Sequence, residues 1–330
     1  MQPFTYRRAY EDDEAVKIAG MHAADGAAFL AGGTTLLDLA KIEVLTPGAI
    51  IDITPLAERF GSIAEEKDGL RLGALAKMSA AARHPIVARD YPVIAQSLLL
   101  AASPQLRNMA TLGGNVLQRT RCPYFRDVSW SACNKRVPGS GCAAIEGVNR
   151  AHAILGTSEH CIAAYAGDFA QALVALGAFV DVTGPGGART LELEALHREP
   201  RDRPDLENTL APGELITSFF VPAGAWTRRS RFVKVRDRES FEFALASAAV
   251  ALDLRAGIVA EARVALGGVS TKPWRSREAE EALRGKPLNE RTASEAASAA
   301  FAGARTHGGN DFKVALGRRT LVRALMESSR

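Results

Sequence analysis

All four cysteines of this 330-residue chain lie within one stretch of forty residues, Cys122 to Cys161. The stretch follows directly on a glycine-rich segment, ATLGGNV. So uneven a distribution argues against four unrelated free thiols. It predicts a loop that folds back on itself, so that its sulfurs act together as disulfides or as metal ligands.

The spacing of the cysteines leaves three chemistries open. The pattern C-x10-C-x8-C-x18-C contains no close C-x2–4-C pair of the kind typical of structural zinc sites. A proline follows Cys122, as in ferredoxin-type ligand runs. Positive charge nearby would stabilise thiolates and a net-negative cluster, and it comes from Arg119, Arg121, Arg126, Lys135 and Arg136. An iron–sulfur cluster is therefore favoured, while zinc and disulfides remain alternatives.

Composition narrows the class of protein. A chain of this length suits two or three packed units, and an apolar content of 47 % is enough for a core. The net charge of +4 is mixed along the chain, which gives no basic stripe for nucleic acid. No apolar run reaches the roughly 18–20 residues that a membrane span needs. The N-terminus has no apolar signal core, so we expect any export to depend on a partner.

The order of predicted elements indicates an α+β fold. Residues 1–60 are interpreted as strands and helices in alternation, with an apolar strand before each turn. Further strands and helices continue to about residue 222. From about residue 225 two long strand patterns appear, and from about Arg277 the pattern is mostly helical. This change predicts a separate C-terminal α+β domain.

Two glycine segments are candidates for binding a ligand. The first, LAGGTTLLDLAK, places Gly32 and Gly33 between an apolar strand and a helix expected to begin around Thr34 and Thr35. Glycine permits a sharp turn, and free N–H groups at a helix start attract phosphate. The alternative is a turn without a ligand, in which a threonine caps the helix; it explains the same residues. The pattern is neither G-x-G-x-x-G nor a Walker A loop.

The second segment, NMATLGGNV, predicts another glycine turn at Gly113, Gly114 and Asn115. Alone it is a weak signal. Two such turns in one half of the chain fit a ligand with two phosphates and a planar head better than either turn fits alone.

Other candidate residues have structural alternatives. Asp168 stands at a predicted helix start, either as an N-cap or as a partner for a ribose hydroxyl. Lys234 and Arg236 alternate with apolar residues, so they share one strand face, which is either solvated or ligand-binding. The six histidines show no metal-binding spacing, and no G-x-S-x-G or H-E-x-x-H motif occurs. We therefore assign no catalytic residue and expect a protein that carries electrons.

Taken in order, these motifs resemble the FAD-binding medium subunit of the molybdenum hydroxylases, the family of xanthine dehydrogenase and carbon monoxide dehydrogenase. AGGTTLLDLAK and ATLGGNV match its two flavin motifs, while GDFAQALVALGA and APGELI fall where its Asp and Leu contacts lie. LQRTRCPYF, CNKR and PGSGCAA are similar to the flavin subunit of bacterial periplasmic aldehyde oxidoreductase, whose insertion holds a 4Fe-4S cluster. The flavin subunit of 4-hydroxybenzoyl-CoA reductase has a comparable insertion.

The resemblance implies a division into domains. A two-part FAD-binding domain of the PCMH (vanillyl-alcohol-oxidase-like) type would cover residues 1–222, as subdomains 1–60 and 61–222. The 4Fe-4S insertion would occupy about 117–166. A domain like the C-terminal domain of carbon monoxide dehydrogenase flavoprotein would cover 226–330.

The resemblance also implies roles for particular residues. The FAD pyrophosphate would be wrapped by Leu30, Ala31, Gly32, Gly33, Thr34 and Thr35. Further along the flavin would lie Thr111, Gly114 and Asn115. Asp168 would hold the adenosine part, with Leu215 and Lys234 near it or near the isoalloxazine. The cluster ligands would be Cys122, Cys133, Cys142 and Cys161.

The function implied is electron transfer within a molybdenum-cofactor aldehyde oxidoreductase. A large partner with molybdenum cofactor and a small partner with 2Fe-2S clusters would complete a heterotrimer, and FAD would pass electrons to a small-molecule acceptor. The periplasm is expected, by co-export with a signal-bearing partner; the cytoplasm is the alternative. Alternatives for function are a hydroxybenzoyl-CoA reductase or purine hydroxylase subunit and, in another class, a zinc- or disulfide-stapled binding module.

Overall fold

The computed structural model describes residues 1–329, so Arg330, the last residue of the expected C-terminal domain, lies outside the described residues. Three β-sheets follow one another along this part of the chain, each with its own helices. The combination confirms the α+β expectation. No helix within residues 1–329 is both long enough and apolar enough to cross a membrane.

The first unit is a three-stranded parallel sheet in the order β1-β3-β2. Helices join its strands, as parallel pairing requires a crossover. The central strand β3 is fully buried, which explains its unbroken apolar sequence. The elements are β1 Thr5–Arg8, α1 Asp12–Met21, β2 Ala27–Leu30, α2 Leu36–Lys41, β3 Ala49–Asp52 and α3 Ala57–Phe60, with 3-10 turns at Ala23–Asp25 and Thr54–Leu56.

The second unit is a five-stranded antiparallel sheet in the order β4-β5-β8-β6-β7, covered by a group of helices. Its strands are β4 Ile63–Glu66, β5 Gly69–Gly73, β6 Phe179–Gly184, β7 Gly187–Glu192 and β8 Leu215–Pro222. Its helices are α4 Met78–Arg83, α5 Pro85–Asp90, α6 Pro92–Leu99, α7 Pro104–Met109, α8 Leu112–Val116, α11 Phe169–Leu176 and α12 Leu193–Leu196. All eight residues of α11 are buried, so this helix forms the centre of the core.

The cysteine-bearing segment lies between α8 and α11. It contains little regular structure, only the one-turn helices α9 Pro123–Arg126 and α10 Ala143–Glu146. Isolated bridges pair Cys133 with Cys142 and Ser158 with Cys161. Its shape therefore depends on side-chain contacts more than on secondary structure.

The third unit is a four-stranded antiparallel sheet in the order β12-β11-β10-β9, packed against three helices. Its elements are β9 Ser230–Val235, β10 Ala246–Arg255, β11 Ile258–Gly267, β12 Trp274–Arg275, α13 Arg277–Leu283, α14 Glu290–Ala300 and α15 Phe312–Ser328. The helical region from Arg277 is thus confirmed up to residue 329. Phe232, Ala249 and Ala265 join the core of the second unit, so the two units share one apolar interior.

The prediction of a second glycine turn was wrong. Gly113 and Gly114 lie inside α8, and the hydroxyl of Thr111 caps that helix by accepting from the N–H of Gly114 at 3.3 Å. Gly113 packs against Ala74, where an added Cβ would lie 3.2 Å from the Ala74 backbone oxygen. The glycines therefore permit close packing and not a reversal of the chain.

The first glycine pair does form a turn, and the reason differs for each residue. Gly33 has φ +72°, a left-handed conformation that favours glycine. At Gly32 an added Cβ would lie 2.3 Å from the carbonyl oxygen of Met109 and 2.9 Å from Cα of Ala110. Gly32 thus lets the first unit approach the segment that leads into Thr111.

We expect Gly32→Ala to lower the free energy of unfolding by about 1–3 kcal/mol, because the backbone at Met109 must move to admit a methyl group. The matched control is Gly20→Ala in α1, where an added Cβ meets nothing within 4 Å. This control should be neutral or stabilising by about 0.5–1 kcal/mol. Equal denaturation midpoints for the two variants would contradict the close approach.

Candidate functional site

The two glycine segments meet at one cavity of about 430 Å³. Its walls come from all three units. The lining includes Thr34 and Thr35 from the first unit, Gly114, Asn115 and Asp168 from the second, and Lys234 from the third. Six residues predicted from the sequence therefore surround a single space large enough for a small-molecule ligand.

The other predicted residues lie behind these walls. Leu30, Ala31, Gly32, Gly33, Thr111 and Leu215 do not line the cavity. Thr111 is 3 % exposed and caps α8, while Gly32 contacts the Met109 segment. Leu215 is 6 % exposed and packs in the apolar cluster of the first unit. These residues shape the cavity from outside it.

Asp168 and Lys234 form a buried ion pair. Nζ of Lys234 lies 2.7 Å from Oδ2 of Asp168, and their side chains are 1 % and 6 % exposed respectively. Burial raises the pKa of Asp168, against the opposing charge and hydrogen bond of Lys234. Asp168 makes no capping hydrogen bond to α11. Asp168 therefore occupies the N-cap position of α11 without capping it through its side chain, and the alternative of a solvated face is wrong for Lys234.

Two polar atoms in the cavity wall lack a partner. Oδ1 of Asn115 and Nε of Arg121 are buried without a hydrogen bond among residues 1–329. A ligand carrying donors and acceptors would satisfy both, because unpaired buried polar groups are costly. Ala102 and Phe241, which also line the cavity, have φ of 50° and 52°, a left-handed conformation that is uncommon for residues other than glycine.

Arg121 is a site residue that the sequence alone did not identify as cavity-lining. Its guanidinium donates to Asp38 at 3.1 Å and lies 4.8 Å from the ring centroid of Phe243. Phe241 and Phe243 are exposed aromatic side chains at the same cavity. The cavity thus offers aromatic surface and a cation to one ligand, which suits a planar ring system with phosphates.

The cysteine-bearing segment brings its four sulfurs together. All four cysteines line one small cavity, although they come from different turns of the segment. Cys133 and Cys161 are buried, while Cys122 and Cys142 are partly exposed. Backbone N–H groups approach the sulfurs, for example those of Tyr124 and Phe125 at Cys122. Such N–H contacts favour thiolates.

The thiols have unequal acidities. Cys161 donates a hydrogen bond to Cys142, which lowers the pKa of Cys142 to about 6. The same hydrogen bond, together with burial, raises the pKa of Cys161. Burial raises the pKa of Cys122 to about 11. Binding of a metal would therefore have to displace protons from buried thiols, as metal–thiolate bonds do.

The basic residues near the cysteines are paired with other groups of the protein. Arg121 and Arg126 pair with Asp38 at 3.1 and 2.9 Å. Arg119 and Lys135 pair with Glu207 at 2.7 and 2.8 Å. The guanidinium of Arg136 donates to backbone carbonyls, including that of Phe125 at 2.8 Å. Their main role is to fix the loop, although the charge of Lys135 also acts on Cys161.

One histidine belongs to the cysteine site. Nε2 of His152 lies 3.1 Å from Sγ of Cys122, and the imidazole is 2 % exposed. Burial lowers the pKa of His152 to about 4, so the ring is neutral at pH 7. Sequence reasoning missed this residue because thirty positions separate it from Cys122 and no metal-binding spacing marks it.

The four sulfurs can be compared with what each of the three chemistries requires. The four cysteines are free thiols in the structure, with no disulfide among the described residues. Within residues 1–329 no three His, Cys, Asp or Glu side chains converge closely enough to hold a single metal ion. A 4Fe-4S cluster needs four cysteines around one space, each bound to a different iron, and these residues provide that donor set.

Comparison with known proteins identifies the family of both domains and a solved structure with the same fold. Residues 2–224 match the family of the FAD binding domain in molybdopterin dehydrogenase. Residues 231–328 match the CO dehydrogenase flavoprotein C-terminal domain. The solved carbon monoxide dehydrogenase of Hydrogenophaga pseudoflava has a chain that superposes with a TM-score of 0.77 at 25 % identity, covering 99 % of this chain and 98 % of that one.

Relatives with assigned names indicate the same family. The aldehyde oxidoreductase FAD-binding subunit PaoB of Escherichia coli (strain K12) is 43 % identical over 329 residues, 99 % of both chains. The glyceraldehyde dehydrogenase medium chain of Sulfolobus acidocaldarius is 27 % identical, covering 89 % of this chain and 86 % of its own. These names are those of oxidoreductase subunits, which sets aside a non-catalytic binding module. The chain therefore belongs to the family of FAD-binding subunits of the molybdenum hydroxylases.

Proposed function

We propose that this chain is the electron-transfer subunit of a molybdenum-cofactor aldehyde oxidoreductase, and that it carries a 4Fe-4S cluster beside its FAD. It would take electrons from an iron–sulfur subunit onto FAD and pass them to an external acceptor. The main observation in support is that the large cavity and the cysteine cavity are lined by consecutive residues of one loop. Arg121 lines the large cavity, and the next residue, Cys122, lines the cysteine cavity.

The chain's own residues suit FAD in the large cavity. Thr34 and Thr35 offer hydroxyls behind the Gly32–Gly33 turn, and Arg121 offers a cation for phosphate. The unpartnered oxygen of Asn115 is available to accept from a ring N–H or a hydroxyl. When bound, flavin supplies one- and two-electron chemistry, which lets such a subunit join one-electron and two-electron carriers.

Asn115 provides a test of the flavin position. We expect Asn115→Ala to weaken FAD affinity about tenfold, since one hydrogen bond to the ligand is lost. The flavin-free chain should keep nearly all of its free energy of unfolding, because the amide oxygen has no partner and the amide nitrogen makes one long contact, to Sδ of Met78 at 3.5 Å. Fluorescence titration with FAD measures the first and chemical denaturation the second. Asn208→Ala, outside the large cavity, should bind FAD as the parent does, and equal affinities for all three proteins would place the flavin elsewhere.

The cysteine site suits a 4Fe-4S cluster by donor type and number. Cys122, Cys133, Cys142 and Cys161 would each bind one iron. Ion pairs and backbone contacts of the surrounding arginines hold the loop in place. The similarity to PaoB over the full chain agrees with the aldehyde branch.

The names of the relatives support a proposal for the partner subunits. Relatives are named medium chains or subunits, and we propose a large molybdenum-cofactor subunit and a small 2Fe-2S subunit as partners, one of each. Co-expression of the three proteins should give a complex whose flavin bleaches on anaerobic addition of benzaldehyde. Bleaching by xanthine instead, or reoxidation of the reduced flavin by hydroxybenzoyl-CoA, would move the chain to another branch.

We also propose that the complex works in the periplasm, exported with a signal-bearing partner. The resemblance to the periplasmic branch supports this location. Cell fractionation with and without the partner's signal tests it. Recovery of the chain in the cytoplasm in both cases would favour the cytoplasmic alternative.

A further inference from the structure

We propose that His152 is a positioning residue for the cluster, donating a hydrogen bond from Nε2 to Sγ of Cys122 that holds this ligand and raises the cluster's reduction potential. The proposal rests on the 4Fe-4S assignment above. The contact measures 3.1 Å and lies in the interior, where the imidazole is 2 % exposed. Among the described residues, Cys122 is the one cysteine of the four with a side-chain nitrogen at hydrogen-bond distance from its sulfur.

The direction of the hydrogen bond follows from ligation. A cysteine bound to iron is a thiolate and has no proton, so the proton in this contact must come from Nε2 of His152. Nδ1 of the same ring makes no hydrogen bond of good geometry among residues 1–329, although the backbone carbonyl of Asn149 lies near the ring. Because a histidine tautomer is set by the hydrogen bonds its nitrogens make, the contact with sulfur is the one that fixes the proton on Nε2.

The backbone on both sides of His152 is held by the third unit. Nζ of Lys313 donates to the carbonyl of Ala151 at 3.1 Å, and Nδ2 of Asn310 donates to the carbonyl of Ala153 at 3.0 Å. Both donors come from the start of α15 and the loop before it. The residues flanking His152 are therefore anchored to the third unit, which fixes the backbone position from which the ring reaches Cys122.

A donor at this sulfur affects the cluster's energetics. Reduction adds negative charge, and a hydrogen bond to a ligand sulfur stabilises the reduced form more than the oxidised form. Removal of the donor should therefore lower the reduction potential. Tuning of this kind is distinct from iron binding as such, which depends on the four cysteines.

The experiment compares three variants of the full-length chain, purified with its cofactors under anaerobic conditions. His152→Leu removes the donor, and His152→Gln keeps an N–H of similar reach. His197→Leu is the matched control, because His197 is also buried but its Nε2 faces the carbonyl of Val116 at 3.0 Å. The readouts are iron content and an EPR redox titration of the cluster signal.

At the midpoint potential of the parent protein, His152→Leu should raise the ratio of oxidised to reduced cluster about tenfold, which is about 59 mV for a one-electron couple. His152→Gln and His197→Leu should stay close to the parent ratio. Loss of iron in His152→Leu but not in His152→Gln would also support the proposal, through the holding of Cys122. Equal potentials in all variants, or loss of iron in both His152 variants, would overturn it. A parent protein without iron would refute the cluster assignment itself, and this proposal with it.

Discussion

Replacement of Cys122 with serine is expected to abolish the 4Fe-4S signal and to lower the iron content well below about four per chain. Serine cannot replace the thiolate as a cluster ligand of comparable strength. The cysteine-bearing segment has little regular structure of its own, so a cluster that joins four of its points contributes directly to its folding. A crosslink that closes a loop of this size stabilises by about 3–4 kcal/mol, and we expect a loss of that order within the segment.

The controls separate the cluster from the rest of the protein. Ser131→Ala changes an exposed residue of the same segment and should keep its iron. Flavin should stay bound in Cys122→Ser, because Thr34, Thr35, Gly114 and Asn115 lie outside the segment between Cys122 and Cys161. Limited proteolysis should cut Cys122→Ser within residues 117–166 and leave Ser131→Ala intact. Full iron content in Cys122→Ser would show that the ligand assignment is incorrect.

Lys234→Met should lower the free energy of unfolding by about 3–5 kcal/mol, because it leaves the carboxylate of Asp168 buried without its partner. The exposed pair of Lys286 and Glu295, with side chains 46 % and 42 % exposed, provides the matched control. Lys286→Met should cost less than about 1 kcal/mol. Chemical denaturation of the flavin-free proteins measures both.

The Lys234→Met defect should also depend on pH. Burial raises the pKa of Asp168 above its ordinary value, and removal of the lysine raises this pKa further. As pH rises, Asp168 loses its proton at a lower pH in the unfolded chain than in the folded protein. The free energy of unfolding is therefore highest below the ordinary pKa of Asp168, and it falls as pH rises towards the pKa of Asp168 in the folded protein. The deficit should be larger at pH 8 than at pH 5, and it should shrink when Asp168→Asn is added. A deficit independent of pH would mean that the carboxylate is not buried as described.

Local sequence was sufficient to predict the general architecture and six of the residues that line the large cavity. An apolar run followed by glycine and threonine predicted the turn at Gly32 and Gly33, and the clustering of cysteines predicted one shared site. These features are local in the chain. Each depends on the residue types within a short stretch of the chain, which can be read directly from the sequence.

Long-range contacts were the part that sequence could not predict. Lys234 lies 66 residues from Asp168, and only the docking of β9 near the start of α11 makes them a pair. Gly113 and Gly114 were predicted to form a turn because a pair of glycines in the sequence does not show whether it lies in a helix or in a turn. His152 reaches Cys122 because α15 anchors its flanking residues. In each case the tertiary structure, and not the local pattern, decides the role.

The central claim is that one chain binds both FAD and a 4Fe-4S cluster. Its most direct test is an anaerobic absorption spectrum of the purified chain before and after dithionite, with iron and flavin counted on the same sample. We expect flavin bands on a broad iron–sulfur background that bleaches on reduction, with about four irons per flavin. Flavin at full occupancy with no iron in anaerobically prepared protein would contradict it, and the cysteines would then need another role.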